Sequence, residues 1–331
     1  MEINLFTTMM RTEFLKSMQA VAEPAPYEVL STIVPSTARI ENYAWMTPAP
    51  GISRYVGHRR LAQLDQVRYT IQNLEYDGAL TVALRDVEDD QVGGYKLRMN
   101  DLTQKAKAPF RSRLLMTTLA AGGTSVCFDG SNFFGTTHNL GGTGLTLPPG
   151  FTGGGNDIAF TSSNSADGIV HTFDILVHNG PLKPLLYQDR KGPKFNTDAG
   201  TPQSEKAKKA DYWIDLEAAA GFGYWWDAVR IKITNTPSLT DLGTCVDAAR
   251  RAMRLFTLPT ALPTDPVERV HEQTDFNPKN ATIVCSTGLE QLFRHLLFED
   301  RVGVSVAGST GGITSNIYYR AFGLVTTGYL D

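Results

Sequence analysis

The chain has 331 residues, 42% of them hydrophobic, with 31 basic against 34 acidic residues and a net charge of −3. That composition excludes a disordered chain, and the length allows one large core or two to three small ones. The near-neutral balance excludes a strongly basic protein dedicated to gripping nucleic acid, though not one that encloses it, and no run of about 18 apolar residues marks a membrane span.

The first residues, Met1 to Phe6, lack the basic segment and long apolar run of a signal peptide, so a cytoplasm-like compartment is expected. From Thr8 to Ala22, Met9 or Met10, Phe14, Leu15, Met18 and Ala22 share one helical stripe, and Pro24 and Pro26 end it. Val29 to Ala49 reads as an extended strap, patchily apolar. A leading helix and a strap together suit an arm laid on a neighbouring subunit, or simply an ordinary first helix.

Residues 66–86 carry the strongest strand pattern. Val67, Tyr69 and Ile71 alternate with polar residues, as do Leu80, Val82 and Leu84. Asp77-Gly78 between them is a favoured two-residue turn, which predicts an extended hairpin whose single apolar stripe needs a partner.

Acidic residues from Asp86 to Asp90 suit a helix start. The pattern runs on from Tyr95 to Ala121, predicting a long helix kinked at Pro109 and stopped at Gly122-Gly123. Lys96, Arg98, Lys105, Lys107, Arg111 and Arg113 face only Asp101 in charge, which fits a solvated face or one turned to an anionic interior. The Gly, Ser, Thr and Asn-rich stretch 139–168 reads as a surface insertion. Its Gly153-Gly154-Gly155-Asn156-Asp157 run is a single copy with the wrong spacing for a calcium-binding repeat.

Strands are expected at 172–178, 182–188 and 229–233, with a polar, mobile loop over 191–211. Ser238-x-x-Asp241 opens a helix in which Leu239, Leu242, Val246, Ala249, Met253 and Phe256 form one stripe. A strand from Ala281 to Cys285 precedes a second helix opened by Thr287-x-x-Glu290, with Leu289, Leu292, Phe293, Leu296 and Leu297 inside it. Ile317 to Leu330 ends as one or two strands. The class is α+β, without a repeating βαβ order.

No hydrolase elbow, phosphate-cradling loop or dinucleotide fingerprint occurs. Cys127, Cys245 and Cys285 lie far apart and read as reduced, buried small hydrophobes. None of His58, His138, His171, His178, His271 and His295 has metal-ligand spacing. Asp265, Glu268, Glu272 and Asp275 around His271 make an acidic patch, read as a solvated loop face. No catalytic, cofactor-binding or metal residue is expected.

Several stretches in order resemble the major head subunit of Mu-like phages. They are Ile33-Val34-Pro35-Ser36-Thr37, Glu41-Asn42-Tyr43-Ala44-Trp45, Tyr69-Thr70-Ile71-Gln72-Asn73, Asp86 to Asp90 with Gly94-Tyr95, and Cys127-Phe128-Asp129-Gly130 with Phe133-Phe134 and Thr137-His138. Weaker matches are Leu182-Lys183-Pro184-Leu185 and Gly221 to Trp225. The glycine-rich stretch after His138 departs from the family.

The resemblance implies the Hong Kong 97-like phage capsid fold. Its parts would be an N-terminal arm (1–50), an extended hairpin loop, or E-loop (51–86), and a peripheral domain (87–200) with a spine helix at 87–121. A mainly axial domain (201–310) and return strands (311–331) would follow. It further implies a virion protein assembled in the host bacterial cytoplasm into hexameric and pentameric capsomers enclosing double-stranded DNA. Portal protein, a separate scaffolding protein and a cement or decoration protein would be its partners, with no membrane involved. The alternatives are an encapsulin-like nanocompartment shell and a soluble enzyme with an unrecognised site. Some relatives of this fold weld their shells through a loop lysine. No lysine lies between Lys16 and Lys96 here, so a shell without that bond is expected.

Overall fold

The computed structural model describes residues 3–20, 26–46, 69–89, 93–139, 147–180, 182–257, 269–271, 273–304 and 312–331. In chain order the first elements are α1 (Ile3–Gln19), α2 (Pro26–Leu30), β1 (Ser31–Pro35), β2 (Ile40–Asn42), β3 (Thr70–Gln72) and β4 (Leu74–Ala83). Three helices follow, α3 (Leu84–Glu88), α4 (Gly93–Lys105) and α5 (Ala108–Ala120). Next come β5 (Phe151–Gly154), β6 (Asp157–Thr161), β7 (Val170–Val177), β8 (Leu185–Thr197), α6 (Pro202–Ala207), β9 (Lys209–Phe222) and β10 (Ala228–Thr234). The chain ends through α7 (Leu239–Leu255), β11 (Ala281–Cys285), α8 (Glu290–Phe298), β12 (Arg301–Val304), β13 (Gly312–Ser315) and β14 (Gly323–Thr326).

Two sheets organise these elements. One has the order β1-β8-β9-β4, and the other, mixed parallel and antiparallel, has the order β14-β11-β7-β10-β6-β5. Helices α4 and α5 lie along the first sheet, and α7 and α8 against the second. The larger core joins the six-stranded sheet, α5, α7 and α8. A smaller one is built by Phe6, Met10 and Phe14, one turn apart along α1, against Val82, Val87, Met99, Phe195, Tyr212 and Ile214. The first helix therefore packs into its own chain through its apolar stripe.

Asp77-Gly78 is not a turn. It lies mid-strand in β4, paired with Asp215 and Ile214 of β9. Gly78 serves closeness instead: a Cβ there would sit 2.7 Å from Leu102 Cδ1 of α4. The stripe predicted to need an outside partner is partly consumed at home, since Ile71 and Val82 are buried in the chain itself, and Leu80 and Leu84 pack against the smaller core. The hairpin that does form is earlier: β2 pairs antiparallel with β3, Ile40 opposite Gln72. Val67 lies outside the described residues.

The predicted kinked helix is two helices. Residues 106–107 break it, and Pro109 sits in the first turn of α5, where its missing N–H costs nothing. The expected loop 191–211 instead continues β8 and β9 of the four-stranded sheet, with Lys209–Asp211 also paired to β4, and Phe195, Tyr212 and Ile214 point into the smaller core. Only its tip turns, through α6, capped by Thr201 and closed by Lys208 at φ +52°. The glycine-rich stretch supplies β5, an edge strand of the six-stranded sheet, and β6, which lies between β5 and β10. Sheet membership thus divides the chain differently from the expected boundaries, with 151–177 in the six-stranded sheet and 185–222 in the four-stranded one.

The strands at 170–177, 228–234 and 281–285 and the helices at 239–255 and 290–298 lie as the sequence predicts. Ser238 and Asp241 form a reciprocal capping box, whereas no side chain caps the second helix through Thr287. The three cysteines are free and buried.

Candidate functional site

The sequence motifs between 122 and 139 converge on a buried polar junction. Asp129 and His138 side chains are wholly shielded, with His138 Nδ1 3.0 Å from Asp129 Oδ2. The other carboxylate oxygen accepts from Ser131 N and from the Cys127 thiol. His138 Nε2 is 3.0 Å from Asn156 Oδ1, and its ring stacks on Trp225 at 3.9 Å. Asn156 Nδ2 donates to the carbonyls of Phe133, Trp225 and Ala228, which fixes the amide orientation. Gly130, at φ +81°, turns the chain back so that Asn139 bonds Asp129 O. Gly155 does the equivalent for the β5–β6 turn: at φ +51° its Cβ position is 2.3 Å from Gly135 O, so only glycine lets Asn156 enter.

Beside it lies a buried ion pair. Arg230 of β10 meets Asp174 of β7 with Nε–Oδ1 and Nη2–Oδ2 both at 2.8 Å. Its remaining N–H groups reach the carbonyls of Leu119 and Ala120, the open end of α5, and its guanidinium stacks 4.1 Å from the Phe134 ring centre. Phe133 stacks in turn on Phe222 of β9. The family-motif residues Asp129, Gly130, Phe133, Phe134 and His138 are therefore one bolt between the two sheets and the end of α5.

The junction is built for holding, not for reaction. Cys127, Asp129 and His138 place three ligand atoms within 4.8 Å of one another, but hydrogen bonds among them and to Asn156 already satisfy each. The Cys127 thiol points at a carboxylate instead of an imidazole, and burial together with Asp129 pushes its pKa up, the opposite of an activated nucleophile. Burial alone would raise Asp129, yet hydrogen bonds from His138, Cys127 and Ser131 hold its carboxyl below the usual range.

A second polar cluster ties the base of the β2–β3 hairpin. Glu41 Oε1 accepts from Ser36 Oγ, Thr37 N and Ala38 N, and Asn73 Nδ2 donates to Ser36 Oγ and Ala38 O. Tyr69 O accepts from Tyr43 N, and Tyr69 Oη accepts from Phe222 N. Ile33, Ile40 and Trp45 of the strap and Leu74 at the start of β4 remain 47%, 54%, 58% and 51% exposed.

Five of the six basic residues of 96–113 have a partner or an aromatic ring within their own chain. Lys107 Nζ caps α1 at the carbonyls of Ser17 and Ala20, Lys105 pairs with Asp101, and Arg111 pairs with Asp189 over the Tyr187 ring. Arg98 and Arg113 lie over Tyr95 and Phe110, and Lys96 is exposed. His271 is not part of an acidic loop face; it is buried, 3.0 Å from Asp227. Asp265, Glu268 and Glu272 lie outside the described residues. Sequence reading missed Asn156, Asp174, Trp225 and Arg230. The available signals were an Asn inside a glycine run and an Arg inside the apolar strand Val229-Arg230-Ile231.

A family model described as Mu-like prophage major head subunit gpT matches residues 3–330. The Mu-like prophage FluMu major head subunit of Haemophilus influenzae is 29% identical over 63% of this chain and 67% of its own length. The major capsid protein of Escherichia phage Mu is 28% identical over 67% of this chain and 72% of its own. Among solved structures, the procapsid of bacteriophage JBD30 superposes with a TM-score of 0.66 at 23% identity, covering 98% of this chain and 99% of that one. The fold is thus the Hong Kong 97-like capsid fold expected from the sequence.

Proposed function

The chain belongs to the Mu-like prophage major head subunit family, and from that membership we propose how it builds a shell. It is the major capsid protein of a tailed phage, a structural subunit of the virion and not an enzyme. Copies of it close into hexameric and pentameric capsomers of an icosahedral head around double-stranded DNA. The match that carries this reading spans nearly the whole chain, so strap, sheets and helices all fall inside it.

The four-stranded sheet with α4 and α5 serves as the peripheral body and spine, and the six-stranded sheet with α7 and α8 as the axial body. Residues 26–46 are the arm, and β2–β3 is the base of the extended loop. Supporting this, the strap exposes Ile33, Ile40 and Trp45, with Leu74 of β4 also exposed, in one chain but is anchored by the Glu41–Asn73 clasp. A rigid, anchored and apolar edge favours burial under a second copy. At about 25 cal/mol per Å², a few hundred Å² of such surface supplies several kcal/mol before entropic costs.

A portal protein, a separate scaffolding protein and a decoration protein complete the assembly. The shell holds without a lysine bond from the extended loop, because no lysine occurs between Lys16 and Lys96. Subunits that stay joined on denaturing gels after particle maturation overturn that part. For the whole reading, sedimentation and negative-stain imaging of the purified chain should give ring-shaped capsomers or megadalton shells. A 36.3 kDa monomer at every concentration refutes it.

A further inference from the structure

The last turns of α7 carry Arg250, Arg251 and Arg254, which with Asp247 and Leu255 line a cleft of about 430 Å³. The guanidinium carbons of Arg250 and Arg254 stand 5.5 and 5.7 Å from the centre of one ring, Phe276. That shared ring fixes two long side chains in advance, so little rotamer freedom is left to lose when an anion arrives. Among the described residues, charge in the cleft is unbalanced. Asp247 lies 3.8 Å from Arg250 Nη1 and also accepts a 2.7 Å hydrogen bond from Tyr318. Among the described residues, Arg251 and Arg254 have no acidic partner, and the buried Nε of Arg250 donates to nothing.

One cation at a helix C-terminus is favourable by itself. Three guanidinium groups beside a single carboxylate, which pairs with Arg250 alone, repel one another unless a further anion enters. Guanidinium forks match the oxygens of phosphate, and a polynucleotide backbone offers several phosphates in sequence to several arginines. Among the described residues the cleft lining holds no amide or hydroxyl side chain to read base edges, so its contact is with the backbone and independent of sequence.

We infer that this cleft binds phosphates of a nucleic-acid backbone. The inference rests on the reading of the chain as a shell subunit enclosing double-stranded DNA, and gives that interior contact an address.

The test uses full-length protein assembled into capsomers, with binding of a short fluorescent DNA duplex followed by anisotropy across a salt series. Arg251 and Arg254 are both exposed, so Arg251→Gln/Arg254→Gln should fold and form capsomers normally. Its duplex affinity should fall at least tenfold at low salt. The slope of log affinity against log salt should shrink by about 1.8, the amount expected for two lost phosphate contacts. Arg251→Lys/Arg254→Lys should keep the slope while losing part of the affinity. Inorganic phosphate should compete only weakly. Capsomers of the Gln pair that bind duplex like wild type overturn the inference and leave the shell reading intact. So does a cleft that takes inorganic phosphate or a polyglutamate peptide in preference to duplex. Failure of the wild-type chain to form capsomers overturns the shell reading instead.

Discussion

Arg230 and Asp174 face each other across adjacent antiparallel strands, in register, and close two parallel hydrogen bonds of 2.8 Å in a site where the Asp174 side chain has no exposure. Burial pushes the Asp174 carboxyl up from its ordinary value, and the guanidinium opposes that push. Removing one partner leaves the other charge buried and uncompensated. Asp174→Ala should therefore cost about 3–5 kcal/mol in chemical denaturation of the unassembled chain. Arg230→Met/Asp174→Leu should cost clearly less than the two single changes summed. Additivity within about 0.5 kcal/mol contradicts the pairing.

Acid should loosen the junction around Asp129. Its folded pKa is depressed, so its stabilising contribution is complete above the unfolded value of about 3.9 and is lost as pH falls through the lower folded value. Melting temperatures of wild type should drop over that acidic window. Asp129→Asn should be less stable at neutral pH and flatter below pH 4, narrowing the gap between the two proteins. Parallel pH curves rule this out.

Two glycines separate close approach from backbone strain. Gly155→Ala meets the Gly135 carbonyl at 2.3 Å and adopts φ +51°, so it should cost about 3 kcal/mol or prevent folding. Gly78→Ala meets only the flexible end of Leu102 and should cost about 1 kcal/mol. The reverse order in denaturation midpoints excludes this account.

The thiols should be silent. Burial pushes Cys245 up to about 12 and Cys285 to about 11, and Cys127 up as well. A thiol reagent at pH 8 should label none of them in the native chain and all three after unfolding. Rapid native labelling of Cys127 overturns its placement in the junction.

Ile40→Glu/Trp45→Glu should block capsomer formation in sedimentation while changing subunit stability by no more than about 0.5 kcal/mol, since both side chains are over half exposed in the single chain. Normal assembly of this pair removes the strap from the interface.

Legibility in the sequence followed the kind of signal. Helix α7 was readable because an apolar stripe and a capping box agree, and β7, β10 and β11 because their apolar runs are short and bounded. Asp77-Gly78 misled because glycine gives the same local sign whether a chain turns or lets a helix approach. The 191–211 part of β8 and β9 was hidden because most residues alternating with Phe195, Tyr212 and Ile214 are polar, and α6 interrupts it. The junction was half visible. Asp129 and His138 stand in one recognisable stretch, but Asn156, Asp174 and the pair Trp225 and Arg230 come from three other segments, and only tertiary folding gives them a common address.

The grip of Arg230 on the carbonyl end of α5 has a mechanical corollary. A pressurised container fails at whichever joint slips first, and a contact made only of greasy surfaces creeps under sustained load. Here tension passed along the helix reaches the other half of the subunit through a directional ionic latch. That latch yields abruptly instead of gradually, so each protomer should behave as a stiff brick up to a sharp threshold.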